Sequence, residues 1–397
     1  MSTFSNNRNN RSGGAQLRNL VIIAGYYGID NLGDEAILEE LLNELDSFCA
    51  RQEMVVLSQN AEKTASLYKV KSISRWNWFG YLKLLRKTKL LISGGGGLFQ
   101  DRTGLGSVIF YGAQILLARL CGAKVLIYAQ GLGPLRSIFS KTLTRLAFSQ
   151  SHCITVRDTN SLSLIEEWGL TAHLTADPVW SLRPASLLEP AQALLDAIRV
   201  NNAKRMIVGL SIRNDLNLQN HHLESLAKGL ANSLPSDSAV LLLPLQMQQD
   251  QAPLQTIEQF LIKSNLGTYW LDPNILTGPS QWLALFENID ILVGMRFHAL
   301  LMALKAGKPV LGIAYDQKVS HLLNLFEQPS LSLSTDEFQC KTAWPAAMEH
   351  ALINKETLAT VAKAQLNAIT QSADQNKKFL AEILEVGTTS DVTSNYH

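Results

Sequence analysis

The residues best suited to chemistry in this chain lie just past short apolar runs. "GMRFHALLMALKAGKP" (294–309) leaves a buried-looking strand through Arg296 and His298 and enters a helix, and "GIAYDQKVSHLL" (312–323) repeats the layout with Lys318. "GLSIR" (209–213) ends another strand on Arg213, and "VRD" (156–158) places Arg157 and Asp158 beyond a further one. Two of the three groups Arg296, His298 and Lys318 fall near helix N-termini, whose positive ends already attract anions. Cations gathered there repel one another unless an anion sits between them, so the pattern predicts a doubly charged anionic ligand. "SGGGGLFQD" (93–101) sets four successive glycines at a strand end. Each costs backbone entropy, and close approach of the backbone to a ligand would justify them. The run is neither GxGxxG nor the GK[ST] of a phosphate loop, which disfavours a dinucleotide site. "AGYYGIDNLGDEAILEELL" (24–42) passes from strand to amphipathic helix through glycines, an asparagine and acids, again at a strand's carboxyl end.

The elements that must hold these loops alternate along the chain. Leu20–Ala24, "EMVVLS" (53–58), "KLLIS" (89–93), "AKVLIYAQ" (123–130), "CITV" (153–156) and the start of "HLTADPVW" (173–180) read as buried strands, with helical patterns around 78–86, 106–120, 138–149 and 159–168. "SLRPASLLEPAQALLDAIRVNNAKR" (181–205) interrupts the series. It restarts at "RMIVGLSIR" (205–213), "AVLLLPLQ" (239–246), "GTYWLD" (267–272), "DILVGMR" (290–296) and "PVLGIAYD" (309–316). Strands alternating with helices give parallel sheets covered on both faces. The expectation is therefore an α/β chain of two Rossmann-like domains facing a cleft, as in the GT-B class of glycosyltransferases. Its parts are a disordered tail (1–18), a first domain (19–185), a second domain (204–340) and C-terminal helices (341–386) that pack back on the first.

With 397 residues, 46% hydrophobic and 17% charged at net charge +1, the chain reads as globular and has no global pull toward nucleic acid. Cys49, Cys121, Cys153 and Cys340 are scattered without CxxC spacing, so reduced thiols and no metal site are expected. The most apolar window, 108–129, is interrupted by Arg119 and Lys124 and reads as helix, turn and strand, not as a span. Residues 1–16 lack a secretory apolar core. A cytoplasmic protein is expected, with peripheral attachment at the inner face of the plasma membrane left open.

"GYYGIDNLGDEAIL", "SGGGGLFQD", "QGLGPL", "VRD", "TADPVW", "GLSIR" and "GMRFHALLMALKAGKPVLGIAYDQKV", in this order and spacing, resemble the polysaccharide pyruvyl transferase family, of the CsaB type, over roughly residues 19–330. The resemblance implies transfer of the pyruvyl group of phosphoenolpyruvate onto two hydroxyls of a sugar in a cell-surface glycan or its lipid-linked precursor, forming a cyclic ketal and releasing phosphate, with no metal or other cofactor. It implies Arg296, Lys318, Arg213 and Arg157 as donor contacts and His298 beside the phosphate. It implies the first domain as the acceptor side and the second as the phosphoenolpyruvate side, with Tyr27 stacking on the acceptor sugar, Asn31 and Asp34 bonding its hydroxyls, Gly95 and Gly96 lining the acceptor side, and Asp34 or Asp30 as acid or base. Asp30 stands where relatives often carry Asn. Two competing readings are a nucleotide-sugar glycosyltransferase of the same architecture and an inert glycan-binding protein.

Overall fold

The computed structural model describes residues 18–385 except 103, 201, 215–217, 315–316, 329–330 and 335–342; the expected tail, apart from Arg18, lies outside the described residues. Apolar runs form strands buried on both faces, as parallel sheets between helix layers require. In the first sheet these are β1 (Leu20–Tyr27), β2 (Met54–Ser58), β3 (Lys71–Ser74), β4 (Thr88–Ser93), β5 (Lys124–Gln130), β6 (Cys153–Val156) and β7 (His173–Leu174). In the second they are β8 (Ile207–Ser211), β9 (Ala239–Leu242), β10 (Gly267–Trp270), β11 (Ile291–Gly294), β12 (Val310–Ala314) and β13 (Ser332–Ser334). Among the described residues the orders are β3-β2-β1-β4-β5-β6-β7 and β10-β9-β8-β11-β12-β13, with every pairing parallel.

The order reverses between β1 and β4 in one sheet and between β8 and β11 in the other. A crevice opens at the carboxyl ends of such strand pairs, because their crossover helices leave in opposite directions. The four loops that carry "YYGIDNLGD", "SGGGG", "SIR" and "GMRFH" follow these four strands. The GT-B-like arrangement expected from the sequence is thus the observed one.

The two halves are joined by packing. Helix Leu32–Leu45 buries Leu38, Leu41 and Leu42 in an apolar cluster that continues through Trp180 into Leu283, Phe286 and Phe326 of the second half. Trp180 stacks on Phe326 at 5.2 Å and 26°. Each such side chain contributes about 1.5–3 kcal/mol through burial. Helix Lys355–Glu385 crosses back over the first sheet. There Lys124 Nζ donates to the Ile383 carbonyl (2.9 Å), Thr155 Oγ1 donates to Asn376 Oδ1 (3.2 Å), and Asn376 Nδ2 donates to the Ala176 carbonyl (3.1 Å). Asn376 is fully buried, so these bonds satisfy an amide that would otherwise destabilise the interface.

Candidate active site

Two helices begin at the switch points and meet across the cleft. Helix Leu32–Leu45 follows β1 and helix Phe297–Lys305 follows β11; in neither does the N-cap side chain, Asn31 or Arg296, bond a first-turn amide. Gly33, in the first turn of one, lies against the imidazole of His298, in the first turn of the other. A Cβ at position 33 would stand 1.9 Å from His298 Nδ1, so only glycine permits this approach. His298 Nε2 is buried, has no hydrogen-bond partner among the described residues, and faces Asp177 Oδ2 at 3.9 Å. Phe297 meets the same imidazole edge-on at 5.1 Å.

Asp177 is the anchor of this cluster. Arg157 Nη1 donates to its Oδ2 at 2.5 Å, with side-chain exposures of only 9% and 4%. Burial works against the Asp177 charge, but Arg157 and His298 outweigh it and hold the carboxyl well below the usual range. Gly131 leaves room for the guanidinium, since a Cβ there would lie 2.8 Å from Arg157 Nε.

Asp34 is treated in the opposite way. It stands in the first turn of helix Leu32–Leu45, 8% exposed, where Asn31 Nδ2 donates to its Oδ2. Asn31 has the extended backbone of an N-cap yet spends its amide on this carboxylate. Burial above all, then the neighbouring charge of Glu35, pushes the Asp34 carboxyl up to about 7, while Arg157 and the Asn31 bond pull the other way. A carboxyl that titrates there can give and take a proton at neutral pH. Gly96, at φ +98, brings the glycine run against it; a Cβ there would be 2.9 Å from Asp34 Oδ1. From the second half, Lys318 Nζ reaches within 3.9 Å of where a Cβ of Gly97 would be.

The Gly33–His298 contact separates two chambers of the cleft. One, of about 780 Å³, is lined by Arg102, Arg136, Arg157, Asp177, Phe297 and Lys318 among others. The other, of about 670 Å³, is lined by Asp30, Glu35, Lys63, Met247, Asn274 and Trp282 among others. Leu32 and Glu35, the sequence neighbours of Gly33 and Asp34, line only the second of these, and Phe297, the neighbour of His298, lines only the first, so these three residues stand between the chambers.

Several sequence expectations are corrected by this geometry. Tyr27 offers no ring to a sugar. It is fully buried, and the close packing of Gly25 and Gly94 against its hydroxyl and ring explains why both are glycine. The Tyr27 hydroxyl has no hydrogen-bond partner among the described residues. Gly95 is likewise packed between Ile37 and the carbonyls of Tyr128 and Ala129. Asp30 points away from the partition to Lys63 Nζ at 2.6 Å in an exposed pair. Its φ of +55 is the left-handed conformation that Asn and Asp tolerate best, which accounts for either residue at that position. Arg296, expected among the cations gathered on a ligand anion, is already paired with an anion of the chain itself. Its Nη2 and Nε (3.2 Å) donate to Oδ1 of the wholly buried Asp250, whose charge also acts on Arg213. The sequence reading missed Asp177, Arg102 and Arg136. Asp177 had a signal, an acid just beyond a strand in "TADPVW"; the two arginines had none beyond their place next to the "SGGGGLFQD" and "QGLGPL" loops.

Among the described residues, no group of three or more His, Cys, Asp or Glu is placed to hold a metal ion, and no helix is long and apolar enough to cross a membrane. A family model described as polysaccharide pyruvyl transferase matches residues 31–317, a span that runs from Asn31 and Asp34 past Asp177 to His298. The chain belongs to the polysaccharide pyruvyl transferase family. No curated protein matches it. Among solved structures, HepE of Anabaena in complex with UDP-glucose is similar over 92% of this chain and 99% of its own, at 12% identity and a TM-score of 0.55. The UDP-GlcNAc 2-epimerase of Neisseria meningitidis is similar over 92% and 98%, at 12% and 0.56. A UGT transferase of Siraitia grosvenorii in complex with UDP is similar over 92% and 99%, at 11% and 0.58. At these identities the likeness of the pyruvyl transferase family member to nucleotide-sugar enzymes concerns the fold alone.

Proposed function

We propose that the protein transfers the pyruvyl group of phosphoenolpyruvate to two hydroxyls of a glycan sugar, forming a ketal and releasing phosphate, as a member of the CsaB type acting on a cell-surface glycan or its lipid-linked precursor. The observation that carries this reading is the pairing, across one partition, of a carboxyl that titrates at about 7, Asp34, with a chamber lined by Arg102, Arg136, Arg157 and Lys318. A carboxylate and a phosphate on one small molecule need several fixed cations, and arginine forks suit both groups. The chemistry then needs a proton delivered to the methylene carbon, so that C2 becomes electrophilic, and removal of a proton from each attacking hydroxyl. Asp34 takes the proton-handling role. His298, with Nε2 facing the Asp177 carboxylate at 3.9 Å, stands beside the departing phosphate.

This reading places the donor in the cation-lined chamber between the two halves and the acceptor in the chamber of Asp30, Asn274 and Trp282. It differs from a plain division into a second-domain donor site and a first-domain acceptor site, because three of the four lining cations come from the first half. No metal is required in this scheme, the cationic work falling to Arg and Lys. Titration calorimetry with phosphoenolpyruvate and with UDP-glucose tests it: binding of the first and not the second is expected. Lys318→Ala should weaken phosphoenolpyruvate about tenfold, roughly 1.4 kcal/mol. The nucleotide-sugar alternative rests on the shared fold with UDP-bound enzymes; tight UDP-glucose binding with no phosphate release from phosphoenolpyruvate and glycan would favour it.

A further inference from the structure

The positive charge of this nearly neutral chain is concentrated in one segment. Residues 63–157 hold fifteen Lys and Arg and a single acid, Asp101, in a chain whose totals are 35 basic and 34 acidic. Asp101 is half-buried and accepts from the Arg136 and Ser137 amides at 2.7–2.9 Å. The segment supplies helices Trp78–Leu85, Gly106–Leu120 and Ile138–Ser149, which lie side by side on one face of the first sheet. Phe110 meets Trp76 and Trp78 at 5.0 and 5.4 Å, and a Cβ at Gly112 would be 3.6 Å from Leu143.

The N-terminal ends of these three helices follow β3, β4 and β5, and so form the rim of the cleft. They also carry large apolar side chains in water: Trp76, Phe79 (83% exposed), Leu105, Ile109, Ile138 (84%) and Phe139. Beneath them the base is rigid. Arg75 lies 4.7–5.5 Å from the rings of Tyr26, Trp76, Phe110 and Tyr111, and its Nη2 donates to the Tyr111 hydroxyl at 2.9 Å. Lys83, Lys141 and Arg145 are exposed on the same helices, while Arg86 and Lys87 are exposed beyond the far, C-terminal end of Trp78–Leu85.

Aromatic and aliphatic side chains ringed by Lys and Arg match a bilayer interface, where rings and alkyl groups enter the headgroup boundary and cations meet anionic lipid. Aliphatic Leu105, Ile109 and Ile138 give a nucleic acid nothing to stack on or bond to, and a second copy would oppose one basic surface to another. We propose that this rim docks on an anionic lipid bilayer and holds the cleft mouth at the membrane surface. The inference rests on the proposed reaction only for its purpose, access to a lipid-linked acceptor; the docking is read without substrate.

Co-sedimentation of the full chain with vesicles of phosphatidylglycerol and phosphatidylcholine, against phosphatidylcholine alone, tests it. Binding at least tenfold tighter to the anionic vesicles and weakened by salt is expected. The variant Phe79→Ser with Ile138→Ser and Phe139→Ser, and separately Lys141→Glu with Arg145→Glu, should each lose binding tenfold or more while keeping the circular dichroism and the phosphoenolpyruvate titration of the parent. Equal binding to both vesicle types, or full binding by both variants, overturns the proposal. So does a dimer in sedimentation that Ile138→Ser dissolves without any vesicle binding, or tighter binding to a single-stranded oligonucleotide than to vesicles at equal salt. Vesicle binding without phosphoenolpyruvate binding would defeat the proposed reaction and leave the docking standing.

Discussion

The first and second sheets share a strand order, yet each treats the buried acid beside its switch point differently. In the second, Asp250 is paired with the Arg296 guanidinium and accepts from the Gln246 amide at 2.9 Å; burial raises its carboxyl above the usual range, and the arginine and the amide oppose that rise while Arg296 is held in place. In the first, Asp34 has a neutral amide for a partner and is left to titrate at about 7. The comparison teaches that strand topology brings groups to the cleft, while the partner, the neutral Asn31 amide or an arginine, sets how strongly the upward push of burial is opposed. Asp177 supplies the control within the first half: just as buried, and held ionised by Arg157.

The comparison breaks most sharply at Asp34. Asp34→Asn keeps shape and the Asn31 contact but removes the titrating proton, and turnover should fall about 10²- to 10⁴-fold with phosphoenolpyruvate affinity little changed. A rate within tenfold of the parent would remove Asp34 from proton handling. Next come the two ion pairs. Arg296→Ala strands a wholly buried carboxylate and should lower the unfolding free energy in urea by about 3–5 kcal/mol; Arg157→Ala should do the same and, unlike it, also abolish donor binding. If Arg296→Ala removed donor binding equally, the sequence-based view of Arg296 as a direct donor contact would be restored.

A smaller effect is the pH dependence of stability. Asp34 releases its proton at about 7 when folded and near 3.9 when unfolded, so its contribution is full below pH 4 and is lost as pH rises through 7. Glu40, pushed up to about 7 by burial, acts in the same sense. Asp177, held low, acts oppositely and only as pH falls below the usual Asp range. The urea midpoint should therefore decline from pH 5 to 7, and Asp34→Asn should flatten part of that slope; an unchanged slope would mean that Asp34 is not the titrating group. The smallest change is expected of Tyr27→Phe. Losing a buried hydroxyl that has no partner among the described residues should alter stability by about 0–1 kcal/mol and acceptor binding not at all. Weaker acceptor binding would revive the stacking role.

Much of the fold was legible because parallel strands buried on both faces leave continuous apolar runs such as "VLIYA". Edge strands leave weaker marks: β3, "KSIS", is exposed at both ends, and β13 has only three residues. Loop chemistry was half legible. Residue type marked Asp34, Arg157, His298 and Lys318, but type does not say which way a side chain turns. Tyr26 and Tyr27 are adjacent in sequence, and a shift of register after Ala24 leaves the first exposed and the second in the core. The Asp250–Arg296 pair spans 46 residues and two strands, so nothing local announced that Arg296 was already engaged.

The closing helix, Lys355–Glu385, bears on the order in which the molecule is made. Thr155 in the first sheet waits 221 residues for Asn376, and Lys124 waits 259 for Ile383. The ribosome therefore releases β1–β7 with one flank uncovered, and the whole second half must emerge before the missing layer arrives. Completion of the N-terminal unit is a late event in synthesis, and a chain broken near residue 354 would lose structure first at the end farthest from the break in sequence.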